Sequence, residues 1–438
     1  MTTLVLGAGG VIGGFIATDL AGRGLPVIAV ARRFTPAERA QFGAGAREIP
    51  IARLDIAALT RVLEESAADV VVNCLGVLQD NAGDSTHEVH RAFVERLIAA
   101  LRAMARPILL VHLSIPGAEA DDRTSFSRTK RAAEQAIANS GLPYAILRPG
   151  FVFAPRAFGG GAMMRALAAL PVDLPVSFGD RPLSAVAVED IADTVVLLAQ
   201  RWREPDLHHA ATWDLMHPDQ SSIAEVLTSL RVWLGNKWPR RIRMPMVLLT
   251  LGAWAGDVSA WLGWRPPMRS TALAELQRGV SGDPRLWMQA TGIAPRSLNS
   301  ILRARPATVQ ERWFARLYLL KVLIVAILAI FWIASALVAL TVSYPAAVAV
   351  LTTHGFGQAS AQAMTIVSSM TDLLVGLAIV FRRTSAYGLI AGIAVSLVYM
   401  VAAALLTPDI WIEPLGALVK TFPAIVLMLV ALAIIDDR

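Results

Sequence analysis

The chain has 438 residues, enough for two or three domains, and 55% of them are hydrophobic while only 17% are charged. With a mean hydropathy of +0.53, that balance excludes an ordinary soluble enzyme and points to membrane spans, concentrated toward the C-terminus. The net charge is +6, and arginine clusters at Arg240, Arg241 and Arg243 and at Arg303, Arg305, Arg312 and Arg316 adjoin apolar segments. That placement favours anionic lipid headgroups over nucleic acid as the partner. Cys74 is the single cysteine, so no internal disulfide forms. No charged leader precedes the first strand, and no signal peptide is expected.

Leu4, Val5 and Leu6 form a buried-strand pattern that ends in glycines, after which Ile12, Phe15, Ile16 and Leu20 recur at helical spacing. A strand, a glycine turn and a helix N-terminus are the parts a pyrophosphate site needs: positive φ, close backbone approach and free N–H groups. Gly7, Gly9, Gly10, Val11, Ile12 and Gly13 are therefore the candidate cofactor turn. A second strand is expected over 25–31, and its end selects the cofactor. An acidic residue there would bind the ribose hydroxyls of NAD(H). Here Arg32 and Arg33 follow, and guanidinium matches a 2′-phosphate in charge and fork geometry, so NADP(H) is favoured over NAD(H). The alternative is that one or both arginines are solvated loop residues.

Further strands are expected at 47–51, 70–75, 107–113 and 144–147, with helices near 56–65, 89–104 and 126–139. Ser85 and Glu88 have the spacing of a capping box. This alternation gives an α/β doubly wound parallel sheet whose ligands lie beyond the carboxyl ends of the strands. Among the histidines, His87, His90, His208, His209 and His217 show no metal-ligand spacing, so no metal site is expected and surface or pocket roles are assigned instead.

Gly7, Gly10 and Gly13, Asp55-Ile56, Asn73 to Gly76, Ser114, Lys130, the run 141–153 and the segment 187–192 together resemble the extended and atypical short-chain dehydrogenases/reductases. The resemblance implies that Asp55 and Ile56 approach the adenine and that Leu75 and Gly76 lie along the cofactor. It also implies that Pro149 and Gly150 adjoin the nicotinamide. The family's chemistry pairs a tyrosine, as general acid/base, with a lysine four residues on that binds the nicotinamide ribose, and a serine that orients the substrate oxygen. Four-residue spacing puts the pair on one helix face. Ser114 and Lys130 match, but Phe126 occupies the tyrosine position, and losing a positioned acid/base removes roughly 10²–10⁴-fold in rate. Three accounts stay open: another hydroxyl (Ser125, Ser127 or Tyr144) substitutes, hydride transfer needs no protein acid, or the domain binds the nucleotide without chemistry. Lys130 and Glu134 could also form a plain i,i+4 surface pair, and Ser114 could simply end a strand.

The domain division is 1–200 for the nucleotide domain, 201–310 for a substrate-side subdomain and linker, and 311–438 for an all-α four-helix transmembrane bundle. The middle part is rich in tryptophan (Trp202, Trp213, Trp233, Trp238, Trp254, Trp261, Trp264, Trp287) interleaved with arginine. That suits a large amphipathic ligand, a membrane interface or ordinary packing. An apolar helix over 246–262 is short for a span and closes at Pro266-Pro267.

Spans are expected at about 317–340, 363–381, 386–406 and 415–435. Arg312, Arg316 and Lys321 precede the first, Arg382 and Arg383 follow the second, and the last loop carries Asp409 and Glu413. The positive-inside rule then gives a multi-pass protein of the cytoplasmic membrane with its N-terminal domain in the cytoplasm. The segment 354–383 resembles the DoxX-like membrane family. Asp372 falls within the second span, where a carboxylate is either functional or a helix–helix hydrogen bond. Lys420 can snorkel to the interface. The expected activity is a membrane-anchored NAD(P)(H)-dependent oxidoreductase acting on a lipid-soluble quinone or lipid carbonyl, in contact with membrane lipids. The alternatives are a non-catalytic nucleotide-binding regulatory or assembly protein and a nucleotide-sugar epimerase/dehydratase.

Overall fold

The computed structural model describes residues 1–80, 85–202, 204, 210–266, 268–412 and 418–436. His208, His209, Pro267, Glu413 and the start of the segment expected at 415–435 lie outside them. The chain forms two compact units, Met1–Asp257 with Pro266–Arg312, and Val258–Arg265 with Trp313–Arg438. The segment 201–310 is thus not a unit of its own: most of it packs with the sheet domain, and Val258–Arg265 packs with the C-terminal helices.

The first unit is built on a seven-stranded parallel sheet. Its strands are β1 (Thr3–Leu6), β2 (Val27–Ala31), β3 (Ala46–Glu48), β4 (Val70–Asn73), β5 (Leu109–Leu113) and β6 (Tyr144–Pro149). Two short strands, β7 (Phe151–Phe153) and β8 (Ala185–Ala187), pair outside the sheet, and β9 (Ala210–Leu215) completes it. The order β9-β6-β5-β4-β1-β2-β3 reverses direction at β1. The strands read as unbroken apolar runs because both faces are covered. Val5, Val72, Val111 and Leu147 join one core, and Leu4, Leu6, Val71, Leu110 and Ile146 join the other.

The helices that matter to the site are α1 (Val11–Gly22), α2 (Pro36–Phe42), α3 (Ile56–Ser66), α4 (Phe93–Arg102), α5 (Ser125–Ala138), α6 (Gly159–Ala168) and α7 (Ser270–Arg278). α3 starts at Asp55, whose side chain accepts from the Ala58 N–H at 2.8 Å. The capping box expected at Ser85–Glu88 does not form. The chain enters α4 through a π-helical turn, His87–Ala92, with no side-chain cap. The Thr86 N–H instead bonds the Asp80 carboxylate at 2.6 Å. The wider turn rotates His90 inward, where it is buried. Such turns recur at functional sites.

The second unit is helical: α8 (Val309–Leu340, within the unit from Trp313), a short helix Tyr344–Thr353, α9 (Gln358–Val380), α10 (Ser385–Leu406) and α11 (Thr421–Ile434). Three of these, α8, α9 and α10, are long and apolar enough to cross a membrane. α11 has 14 residues, so the fourth expected span is shorter than a crossing over its described part. The short helix Tyr344–Thr353 was not expected; its proline at the first turn starts it, and its 10 residues escape any span-length criterion. One end of this unit brings Lys321 and Arg382 together, and Lys420 stands at the opposite end of α11. Lys321 Nζ and an Arg382 nitrogen both donate to the Ile435 carbonyl, at 2.8 and 3.2 Å, capping α11. Arg382 also lies over the Trp264 ring at 5.5 Å.

Candidate active site

Strand β1 delivers the glycine turn to the point where the sheet order reverses, the usual ligand crevice of such sheets. Gly7 has φ +87°, which favours glycine, and a Cβ there would lie 3.2 Å from the Cys74 backbone. A Cβ on Gly13 would lie 2.5 Å from the Gly7 carbonyl oxygen, so helix α1 can pack this tightly on the turn only as glycine. Gly14, which sequence spacing did not single out, is equally constrained, with the Ala8 oxygen 2.8 Å from a Cβ. Gly10 is the N-cap of α1 and offers no side chain, so the first amides of the helix receive no side-chain cap. These features fit a dinucleotide pyrophosphate.

At the end of β2, Arg32 and Arg33 are exposed. The nearby carboxylate Glu48 is held by the Phe34 N–H at 2.8 Å and by Arg39 at 2.6 Å. Asp55 and Ile56 stand at the start of α3. Leu75 and Gly76 follow β4, and Gly150 follows β6, where a Cβ would collide with the Ser184 carbonyl oxygen.

Lys130 lies on α5 and is buried. Its ammonium donates to the Leu75 carbonyl at 3.1 Å and to the Leu113 carbonyl at 2.8 Å, tying the ends of β4 and β5 together. Burial pulls it down to about 8, against the opposing pull of Cys74 and Glu134. It is therefore not a surface partner of Glu134, and the third of its protons remains available to a ligand. Cys74 beside it is pushed up to about 12 by burial, which makes it an inert thiol.

His90 accepts from the Val77 N–H at 3.0 Å through Nε2, so Nδ1 carries the proton and donates to Thr129 Oγ1 at 2.9 Å. Thr129 in turn donates to the Ser125 carbonyl at 2.7 Å. Burial and the charge of Lys130 drive His90 down to about 2, so it stays neutral. This chain fixes the loop after Gly76 against helix α5. Phe126 packs edge-on against the His90 ring, with centroids 5.5 Å apart. His112, on β5, takes the Asn73 amide on Nδ1 at 3.1 Å, which leaves its buried Nε2–H without a hydrogen-bond partner among the described residues. Burial, then Lys130, holds it well below its ordinary value.

Of the hydroxyls weighed as substitutes for the missing phenol, Tyr144 opens β6 and pairs with Leu110, at the far edge of the sheet from the glycine turn. That removes it. Ser127 is buried and takes part in the N-terminal capping box of α5 with Thr124. Ser125 is exposed at the first turn of the same helix.

Ser114 follows β5 and its N–H bonds the Leu147 carbonyl at 2.8 Å. Its side chain is buried beside a charge network that no local pattern announces. Glu134 binds Arg131 at 2.7 Å and Arg148 at 2.8 and 2.5 Å. Arg131 reaches Asp122 at 3.1 Å, and Arg278 of α7 reaches the same carboxylate at 2.8 Å. Thr124, the N-cap of α5, donates to Glu275 of α7 at 2.5 Å. Burial opposes the Glu134 charge. Hydrogen bonds from Arg148 and the charges of Arg148 and Arg131 outweigh it and hold the carboxyl below its ordinary value. α7 thus clamps the N-terminus of the helix that carries Lys130.

A cavity of about 230 Å³ opens between the N-terminus of α1 and the segment after β6. Val11, Ile12, Phe151, Phe153 and Phe158 give it an apolar wall, with Arg156 and Arg165 at its edge. No cluster of metal-ligating side chains occurs among the described residues.

A parallel sheet with a glycine turn at its switch point and a buried lysine on the neighbouring helix defines a dinucleotide-binding domain of the Rossmann class. Residues 3–209 match the NAD dependent epimerase/dehydratase family, and residues 329–429 match the DoxX-like family. The chain therefore joins an epimerase-like, short-chain dehydrogenase/reductase-type NAD-binding domain to a C-terminal DoxX-like domain. The dTDP-6-deoxy-L-talose 4-dehydrogenase (NAD(P)(+)) of Kitasatospora kifunensis is 36% identical over 111 residues, 25% of this chain and 33% of that protein. The chain thus spans about a third of that relative's length. The (4-alkanoyl-5-oxo-2,5-dihydrofuran-3-yl)methyl phosphate reductase of Streptomyces griseus is 28% identical over 286 residues, 64% of this chain and 87% of that protein. Both relatives are redox enzymes by name, consistent with an oxidoreductase of the short-chain type. Among solved structures, the UDP-glucose 4-epimerase of Thermus thermophilus in complex with NAD superposes with a TM-score of 0.51 at 21% identity. It covers 71% of this chain and 99% of its own. The UDP-glucose 4-epimerase of Thermotoga maritima with UDP-glucose gives 0.51 at 15% identity over 69% and 96%. These likenesses establish the fold.

Proposed function

We propose that the chain is a membrane-anchored reductase or dehydrogenase that moves hydride between NADP(H) and a carbonyl of a lipid-soluble molecule such as a quinone or a lipid carbonyl. The observation that carries this reading is Lys130. A buried ammonium held on two backbone carbonyls at the carboxyl edge of the sheet, with a third proton left to donate, suits a ribose diol. The bound nicotinamide supplies or accepts the hydride. The residues do the rest: Gly7 to Gly13 and the amides of α1 hold the pyrophosphate, and Lys130 holds the nicotinamide ribose. Asp55 and Ile56 border the adenine, Pro149 and Gly150 shape the nicotinamide side, and Ser114 orients the substrate oxygen. Arg32 and Arg33, exposed at the end of β2, support the 2′-phosphate. The phenylalanine-lined cavity beside Ile12 supports an apolar substrate.

The three candidate spans support a membrane location. Lys321 and Arg382 meet at one end, and by the positive-inside rule that end faces the cytoplasm.

A second reading follows from Phe126. Its ring packs against His90 where the family's tyrosine would stand, and nothing in it titrates. This favours a nucleotide-binding regulatory or assembly protein, and it ranks the epimerase/dehydratase reading, which depends most on that hydroxyl, last. Purified full-length protein in lipid vesicles, assayed for NADPH oxidation against quinones and long-chain aldehydes, separates the readings. The reductase reading expects turnover in the wild type that Lys130→Met abolishes. Binding of NADPH without turnover, with activity appearing only in Phe126→Tyr, would establish the binding-protein reading instead.

A further inference from the structure

In the second unit, Asp372 of α9 is buried, and its partners come from two other helices. Tyr399 Oη of α10 lies 3.0 Å from one carboxyl oxygen, and Ser335 Oγ of α8 lies 3.4 Å from the other. Tyr399 Oη also lies 3.1 Å from the Ser368 carbonyl oxygen. A phenol has one proton to donate. If it goes to Asp372, the Ser368 contact joins two acceptors; if it goes to Ser368, an ionised Asp372 faces an oxygen lone pair. Shared, it leaves a carboxylate in hydrocarbon with part of one phenol hydrogen and a distant serine, far short of what an isolated charge requires there. Both short contacts are satisfied at once in one arrangement. Asp372 is a neutral acid whose O–H donates to Tyr399 Oη, and Tyr399 donates to the second lone pair of the Ser368 carbonyl.

Asp372 sits eight residues from Val380, about 12 Å from that end of α9 at 1.5 Å per residue, well inside a hydrocarbon layer of about 30 Å. On the Val380 side the same face continues as Val375, Gly376 and Ile379, all buried and apolar. On the Gln358 side it continues as Ser369, Ser368 and Thr365, with Ser369 and Thr365 buried. Of the titratable groups on the helices packed against Asp372, Lys321 on α8 lies 14 residues from Ser335 and Tyr387 on α10 lies 12 residues from Tyr399, about 21 and 18 Å along the axes. Among the described titratable residues, Tyr399 alone touches it.

We propose that Asp372 is a proton-binding site within the membrane domain. It takes up and releases one proton, carboxylate plus H⁺ to carboxylic acid, through the hydroxyl stripe that runs toward the Gln358 end of α9 as far as Thr365, short of buried Ala361. Infrared spectroscopy of the full-length protein in lipid vesicles tests this. The wild type at neutral pH is expected to show the C=O stretch of a protonated carboxylic acid, absent in Asp372→Asn. In Tyr399→Phe, which removes the acceptor and keeps the acid, the band is expected to move to higher frequency, and this variant decides the matter should Asp372→Asn fail to insert. Spectra with carboxylate bands alone, or a band that survives in Asp372→Asn or stays in place in Tyr399→Phe, would overturn the proposal. In heavy water, exchange of the acid proton is expected to slow several-fold in Ser369→Val and Thr365→Val. An unchanged rate in both would remove the path toward Gln358.

Discussion

The two units bury carboxyl groups by opposite means. In the sheet unit, Glu134 is fully charged and met by Arg131 and Arg148. In the helical unit, Asp372 has, among the described residues, a phenol and a serine. Backbone accounting explains the difference. At the carboxyl edge of a parallel sheet, strands end and loops begin, so carbonyls such as Leu75, Leu113 and Gly117 lack ladder partners and accept from Lys130 and Arg131. Buried cations are tolerated there, and carboxylates follow them. Within a long helix nearly every carbonyl already serves an N–H four residues on, so no such surplus offsets a buried cation. The acid is then left with neutral hydroxyls and keeps its proton.

The largest effect should come from removing an anion on the sheet side. Glu134→Ala takes one carboxylate from Arg131, which keeps Asp122, and the hydrogen-bonded carboxylate from Arg148, in a site where Glu134 and Arg131 are almost fully buried. Breaking such a network by one partner costs about 3–5 kcal/mol. Chemical denaturation of the isolated full chain in detergent should show that loss, and Glu134→Gln should recover part of it by keeping hydrogen-bond acceptance. A loss below about 1 kcal/mol, the level of a solvated pair, would mean that the network is not structural and would break the comparison. Next in size, Gly13→Ala places a Cβ 2.5 Å from the Gly7 oxygen. Overpacking of about 1–3 kcal/mol at the turn corresponds to NADPH affinity reduced by up to about 100-fold, read by fluorescence titration, with the helical unit unaffected.

Some of this was readable in the sequence and some was not, for physical reasons. The glycine turn is local: strand, turn and helix follow one another directly along the chain, and their steric demands show in residue type. Lys130 stood out through the family resemblance, whose tyrosine–lysine pair has a four-residue spacing that maps onto one helix face. The contacts that bring α7 onto the charge network did not, because their partners are far apart in the chain: Thr124 and Glu275 are separated by 151 residues, and Arg278 and Pro116 by 162. Ser85 and Glu88 had the right types at the right spacing, but the chain forms a π-turn at His87–Ala92 that buries His90, which periodicity does not encode. Tyr144 was adjacent in sequence to the site's strand and still lay at its wrong end, since strand direction rather than proximity decides which edge a residue occupies. In the helical unit, span lengths followed composition, whereas Val258–Arg265 joined that unit through the Trp264 N–H on the Val380 carbonyl, at 2.8 Å and 116 residues away.

A smaller effect concerns the charge on Lys130, whose value of about 8 against the ordinary 10.5 reflects burial. Below about pH 8 the ammonium is present in folded and unfolded chains alike, and the burial penalty is carried in full. Between about 8 and 10.5 the unfolded chain binds a proton that the folded one has released, so this group makes folding more favourable as pH rises. Cofactor affinity should move the other way. A charged donor to a ribose hydroxyl is worth about 1 kcal/mol more than a neutral one, so NADPH binding should weaken about fivefold as pH passes through about 8. Lys130→Met should bind more weakly and without that pH step. A wild-type profile as flat as that of the methionine variant would separate Lys130 from the cofactor.

The smallest expected effect sharpens the comparison at the surface of the same unit, where charge is solvated rather than buried. Arg32 and Arg33 are exposed, so each interaction with a 2′-phosphate is screened and contributes about 1 kcal/mol. Arg32→Ala should therefore weaken NADPH about fivefold, leave NADH within about twofold and steepen neither with pH. The double change of Arg32 and Arg33 to alanine should remove most of the preference between the two nucleotides. Titration at two salt concentrations separates this from packing, because the exposed pair loses its contribution as ionic strength rises whereas the buried contacts of Lys130 and Glu134 do not. NADH binding as tightly as NADPH in the wild type, unaffected by either arginine, would refute the 2′-phosphate role while leaving the glycine turn and Lys130 in place.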